Sequence, residues 1–142
     1  MASIDHSPAV AVEPCPHLLS SATDTAAIMA LDHTKLDVYH RALDLLEHVD
    51  QIHNAMPAGR AHLKDQLDRA ATSIVLNIAE GAGEFSKDEK QRFYRMARRS
   101  ATETAAILDI LDRRKAVAPA MIDPARELLV RVVSMLARLA ST

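Results

Sequence analysis

The densest chemistry in the chain lies between residues 87 and 99. Lys87, Lys90, Arg92, Arg95, Arg98 and Arg99 face only Asp88 and Glu89, an excess of four positive charges in thirteen residues. Guanidinium forks match phosphate oxygens in geometry as well as charge. On a helix, Arg92, Arg95 and Arg99 repeat at i, i+3 and i+7 and share one face, with Arg98 beside it. Such a row suits the phosphate backbone of RNA or DNA. The competing reading is a solvated basic face balanced by acidic neighbours. A second constellation is the polar series Gln66, Arg69, Ser73, Asn77 and Glu80, stepping 3, 4, 4, 3 beside an apolar seam. Half-buried polar groups there need partners. Arg69 paired with Glu80 or with Glu103 would fix helix register or a subunit contact; contact with a ligand is the alternative.

Other chemistry is thin. Asp37-x-x-His40 and Asp50-x-x-His53 resemble the Glu-x-x-His motif of di-iron bundles, but both fall in one segment and carry Asp for Glu. Di-iron centres draw ligands from all four helices. The histidines at 6, 17, 33, 40, 48, 53 and 62 make no zinc spacing. Cys15 lies between Pro14 and Pro16 without a structured base, which argues against a nucleophile, and a single cysteine forms no internal disulfide. Gly81-Ala82-Gly83 joins helix to helix, not strand to helix as a phosphate-cradling loop would. No catalytic residue, metal or cofactor is expected, and the chain reads as a non-enzyme.

The elements that position these residues follow from periodicity. Val38, Ala42, Leu45, Val49, Ile52 and Met56 step by alternating fours and threes, the seam of a helix over about 35–55, widened by Leu43 and Leu46. Pro57 and Gly59 end it. Leu63, Leu67, Ala70, Ile74 and Ile78 carry a second helix over about 61–80, with Gly81 placed as a left-handed C-cap. Ser86 and Glu89 form a capping box for a third helix over about 87–114, whose seam reads Phe93, Ala97, Ser100, Thr104, Ile107 and Leu111, with Met96 and Leu108 alongside. A fourth, over about 123–139, takes Asp123 as N-cap and Pro124 as its first residue. Ile122, Ala125, Leu129, Val132, Leu136 and Leu139 form its seam. With short loops, these helices predict an all-α fold, an antiparallel up-down four-helix bundle with a flexible N-terminal extension.

Composition agrees. Apolar residues make up 49% of the 142 but aromatics only 3%, so the core must be aliphatic. No apolar run reaches the roughly 18–20 residues of a membrane span, and the N-terminus lacks a secretory pattern; a cytoplasmic protein without membrane contact is expected. Residues 1–33 carry Asp5, Glu13, Asp24 and Asp32 and no Lys or Arg, whereas 34–142 hold all 17 basic residues against 15 acidic ones. The chain thus divides into an acidic leader, 1–33, with at most a short helix around 26–31, and a mildly basic bundle, 34–142.

Leu63-x-x-Gln66-x-x-Arg69-Ala70-Ala71-x-Ser73-Ile74, followed by Asn77-Ile78-Ala79-Glu80-Gly81, resembles the hallmark of the four-helix-bundle family of 23S rRNA intervening-sequence proteins. The likeness continues through Ser86, Phe93, Ala97, Ser100 and Glu103 and begins near Leu36-Val38-Tyr39. It implies a bacterial bundle that assembles into a ring, typically a pentamer. The family is related to the accessory variability determinant of diversity-generating retroelements, which binds a reverse transcriptase and nucleic acid. Arg99 stands where the family usually has Gly, and the modest net charge also departs from that relative. The functional expectation is a ring-forming, nucleic-acid or ribonucleoprotein accessory factor. Arg92, Arg95, Arg98 and Arg99 would contact phosphate, and Gln66, Arg69, Ser73, Asn77, Glu80, Gly81 and Glu103 would serve the interface. The alternative is a protein-interaction scaffold that presents its N-terminal arm to a partner.

Overall fold

Val38, Ala42, Leu45, Val49, Ile52 and Met56 are all buried, and the helix that carries this seam, α1, spans Asp37–Ala55. A computed structural model describes residues 31–142. The expected leader, its short helix around 26–31 and Cys15 lie outside, or all but outside, the described residues. The bundle's first helix begins two residues later than the periodicity predicts. Asp32–Lys35 forms a 3₁₀ turn instead, and Leu36 is extended (φ −91°, ψ 122°). Leu43 does not widen the seam: it is exposed, while Leu46 packs at the core's edge.

The next helix, α2, spans Ala61–Gly83, α3 spans Lys87–Arg113 and α4 spans Pro119–Ser141. Each helix packs on its two neighbours, α1 on α2, α2 on α3, α3 on α4 and α4 back on α1. With three short connections, that circuit is an antiparallel up-down four-helix bundle, as the seams predict. Leu45, Ile52, Leu67, Ile74, Ile78, Leu108, Leu111, Ile122 and Leu136 are fully buried, each stabilising the fold by about 1.5–3 kcal/mol.

Three local expectations are overturned by packing. Gly81 does not end α2, which continues for two further residues to an extended cap at Glu84. The aromatic seam residue of α3 is Tyr94, not Phe93, and Ala101 takes the place given to Ser100; Phe93, Ser100 and Met96 lie partly or largely in solvent. The fourth helix begins at Pro119, with Ala118 as N-cap and Pro124 inside its second turn. Pro119 takes the first-turn position that suits proline, and with Val117 and Ile122 buried against the core the helix starts earlier than Pro124. At the end of α3, Lys115 takes the left-handed conformation (φ 53°). The amide of Ala116 donates to the carbonyl of Leu111 (2.9 Å) and that of Lys115 to Asp112 (3.0 Å), a Schellman close.

Candidate nucleic-acid interface

The basic row owes its position to the turn between α2 and α3. Ser86 is the N-cap of α3 (φ −72°, ψ 131°), and its Oγ accepts a bond from the Glu89 amide at 3.4 Å. The reciprocal half of the capping box gives way to another contact, since the Glu89 carboxylate takes Arg92 Nε at 3.1 Å. Lys90 turns back across the corner. Its Nζ donates to the carbonyl oxygens of Gly81 (3.3 Å) and Ala82 (2.9 Å). A cation there satisfies the exposed carbonyls and the negative end of α2, so Lys90 belongs to the scaffold of the turn.

The four arginines expected at phosphate divide into two kinds. Arg92 is engaged by Glu89, and its guanidinium lies 5.0 Å from the centre of the Phe93 ring. Arg95, Arg98 and Arg99 are exposed, and among the described residues no carboxylate lies within ion-pair distance of any of them. From Arg92 to Arg99 the row extends about 10.5 Å along the helix axis.

The polar series of α2 also divides. Ser73 and Asn77 are half-buried against α3, whereas Gln66, Arg69 and Glu80 are exposed. Ser73 Oγ shares a 2.9 Å hydrogen bond with Ser100 Oγ across the helix pair. Asn77 Nδ2 donates to the Ser73 carbonyl (2.9 Å) and to its Oγ (3.0 Å). The expected pairing of Arg69 with Glu80 or Glu103 is absent among the described residues. Glu80 lies eleven positions after Arg69, about 16 Å along one helix, too far for an ion pair. Ser73, Asn77, Met96, Arg99, Ser100 and Glu103 line an open groove of about 600 Å³ between α2 and α3. Arg99 therefore stands at once in the basic row and on the wall of the polar groove.

Gly81 is buried in the last turns of α2. A Cβ built on it would lie 2.8 Å from Tyr94 Cε1, 3.0 Å from Cδ1 and 3.1 Å from Phe93 Cβ. Its role is close helix approach, bringing the end of α2 against the first turns of α3. Burial, and secondarily the charge of Asp32, push the Tyr94 phenol above its ordinary range.

Several residues escaped the sequence reading. Leu76 is 59% exposed, seven residues after Arg69 and four before Glu80, an apolar side chain in the middle of the polar face. Its phase against the buried seam was the available signal. Arg126 on α4 holds Asp109 (2.8 Å) and Asp112 (3.2 Å) of α3 and reaches Asp123 at 3.7 Å. The hydrogen bond to Asp109 is the largest influence raising its pKa, with partial desolvation opposing and Asp112 adding to the rise. No spacing rule links residues on different helices, so this staple of α3 to α4 left no local trace.

The first of the metal-like motifs of α1 is otherwise occupied. Asp37 meets Arg41 at 3.5 Å, and His40 Nε2 lies 2.8 Å from the Thr34 carbonyl oxygen. Among the described residues no three His, Cys, Asp or Glu side chains gather as a metal-binding group, and no helix is long and apolar enough to cross a membrane. A family model described as 23S rRNA-intervening sequence protein matches residues 34–138. No curated protein matches the chain.

Proposed function

Because the chain belongs to the family of 23S rRNA-intervening sequence proteins, we propose that it is a non-enzymatic bundle that assembles with copies of itself and binds nucleic acid as an accessory factor. The observation that carries the binding half is the state of Arg95, Arg98 and Arg99: exposed, on one stretch of one rigid helix, and free of carboxylate partners among the described residues. Unpaired guanidinium groups keep their full charge for phosphate, and each phosphate neutralised releases condensed counterions. The assembly half is supported by Leu76 and Met96, 59% and 38% exposed on the pair of helices that enclose the polar groove.

The test replaces Arg95, Arg98 and Arg99 together with Gln and measures binding to short RNA and DNA as salt is varied. Three lost phosphate contacts should flatten the slope of log K against log salt by about 2–3 and weaken every sequence alike. The fold should be unchanged, since none of the three supports the core. An unchanged affinity and slope would overturn the assignment and turn the reading to a protein-interaction scaffold.

A further inference from the structure

The three-residue corner between α2 and α3 holds the most exposed large apolar side chain among the described residues. Phe85 is 103% exposed, where the next, Val130, is 66%. The sequence contains only two Phe, two Tyr and no Trp, and the other three aromatic rings are all partnered. Tyr94 is buried against Gly81, Phe93 lies under Arg92 and Tyr39 meets His33 edge-on at 4.7 Å. Phe85 alone touches water on every side.

The corner is a firm mount. Glu84 is extended (φ −77°, ψ 143°) with its amide bonded to the Gly81 carbonyl at 3.3 Å. Ser86 caps α3 on the other side, and Lys90 spans the base of the turn through Gly81 and Ala82. With the backbone held on both sides of Phe85, only the side chain loses freedom on binding, which favours its use as an anchor.

We infer that Phe85 is a stacking platform for an unpaired base, and that the ligand of this face is single-stranded nucleic acid. The inference rests on the nucleic-acid reading of the arginine row. Past the corner, α3 presents the Arg92 guanidinium against the Phe93 ring and then Arg95 and Arg99. An exposed aromatic ring followed along the chain by exposed cations supplies what holds single strands, with bases stacking on rings while cations follow the backbone. A duplex keeps its bases stacked internally and offers no free face to Phe85. A protein partner fits less well. Binding anchors sit amid apolar neighbours that exclude water, whereas Phe85 is flanked by Glu84, Ser86 and Lys87. Leu76 lies seven residues, about 10.5 Å, before the end of α2 at Gly83.

The experiment compares wild type with Phe85→Ala, Phe85→Leu and Phe85→Tyr, using a single-stranded oligonucleotide as RNA and as DNA, and the matching duplex. Phe85→Ala should weaken single-strand binding roughly 5- to 150-fold while leaving duplex binding unchanged. The salt slope should also stay unchanged, because Phe85 neutralises no phosphate. Phe85→Tyr should restore binding and Phe85→Leu should not, separating a ring face from mere apolarity. Thermal stability should hold in all three, since the side chain is fully exposed. Salt-dependent wild-type binding with no loss in Phe85→Ala would overturn this inference alone and leave the arginine assignment standing. Absence of any binding by wild type would overturn both. Equal losses on single strand and duplex would refute the stacking role, and so would rescue by Leu.

Discussion

Replacing Gly81 with Ala should destabilise the bundle although helix propensity argues the opposite. Inside a helix, Ala is favoured over Gly by about 1 kcal/mol. Gly81 lies inside α2, so propensity alone predicts a gain. The added Cβ, however, would approach Tyr94 Cε1 to 2.8 Å and Phe93 Cβ to 3.1 Å. Real Cβ atoms essentially never sit as close as 2.8 Å, an approach of 3.1 Å is tight, and neither neighbour yields easily. Tyr94 is only 5% exposed, and Phe93 Cβ is fixed to the backbone of α3. Relief requires α3 to move outward or the Tyr94 ring to leave its rotamer, at a cost of about 1–3 kcal/mol for overpacking. Against the propensity gain, the net expectation is a loss of up to about 2 kcal/mol. Gly83 supplies the control within the same helix. Nothing lies within 4 Å of a Cβ there, so Gly83→Ala should stabilise by about 0.5–1 kcal/mol. Equilibrium urea unfolding of the three proteins reads both signs in one assay, through midpoints at constant slope. The reasoning fails if Gly81→Ala gains stability alongside Gly83→Ala, because the helices would then accommodate a methyl where the packing leaves no room.

Two further outcomes bear on assembly and on the core. Leu76→Glu should leave the fold intact, since the side chain is largely exposed, but should lower the sedimenting mass if that face joins copies of the chain; an unchanged oligomer would remove α2 from the interface. Burial, and secondarily Asp32, raise the Tyr94 pKa from an ordinary 10.0, so the fold favours the neutral phenol. That contribution is fully present below about pH 10 and is lost as pH rises through the folded value. Wild type should therefore lose more stability than Tyr94→Phe as pH rises above about 10, and parallel losses would show that the phenol is no more shielded folded than unfolded.

Much of the architecture was legible because it is periodic. Core residues at steps of four and three must share a helix face, whatever that face meets. Thus the seams of α1, α2 and α4 emerge in the structure nearly residue for residue. The Ser86 cap was legible for a similar reason, since a capping hydroxyl acts within its own turn. The arginine row was legible as a face, with Arg92, Arg95 and Arg99 exposed as spaced.

What the sequence left undecided are choices that depend on a second helix. A glycine closing an amphipathic stretch looks the same whether it turns the chain or makes room for a neighbour; the Tyr94 ring against Gly81 decides for the second. Phe93 and Tyr94 are adjacent candidates for one core position, and the rotation of α3 against α2 buries Tyr94. Lys90 reads as one more cation in a basic run until the end of α2 stands within reach of its Nζ. Arg126 and its aspartates are up to seventeen positions apart. Sequence by itself determined the helices, their buried seams and the charge along their faces, because those follow from bonds and spacing within a few turns of one chain. Only the tertiary structure decided which groups are taken and which remain free for a partner, because that turns on distances between helices that no spacing along the chain encodes.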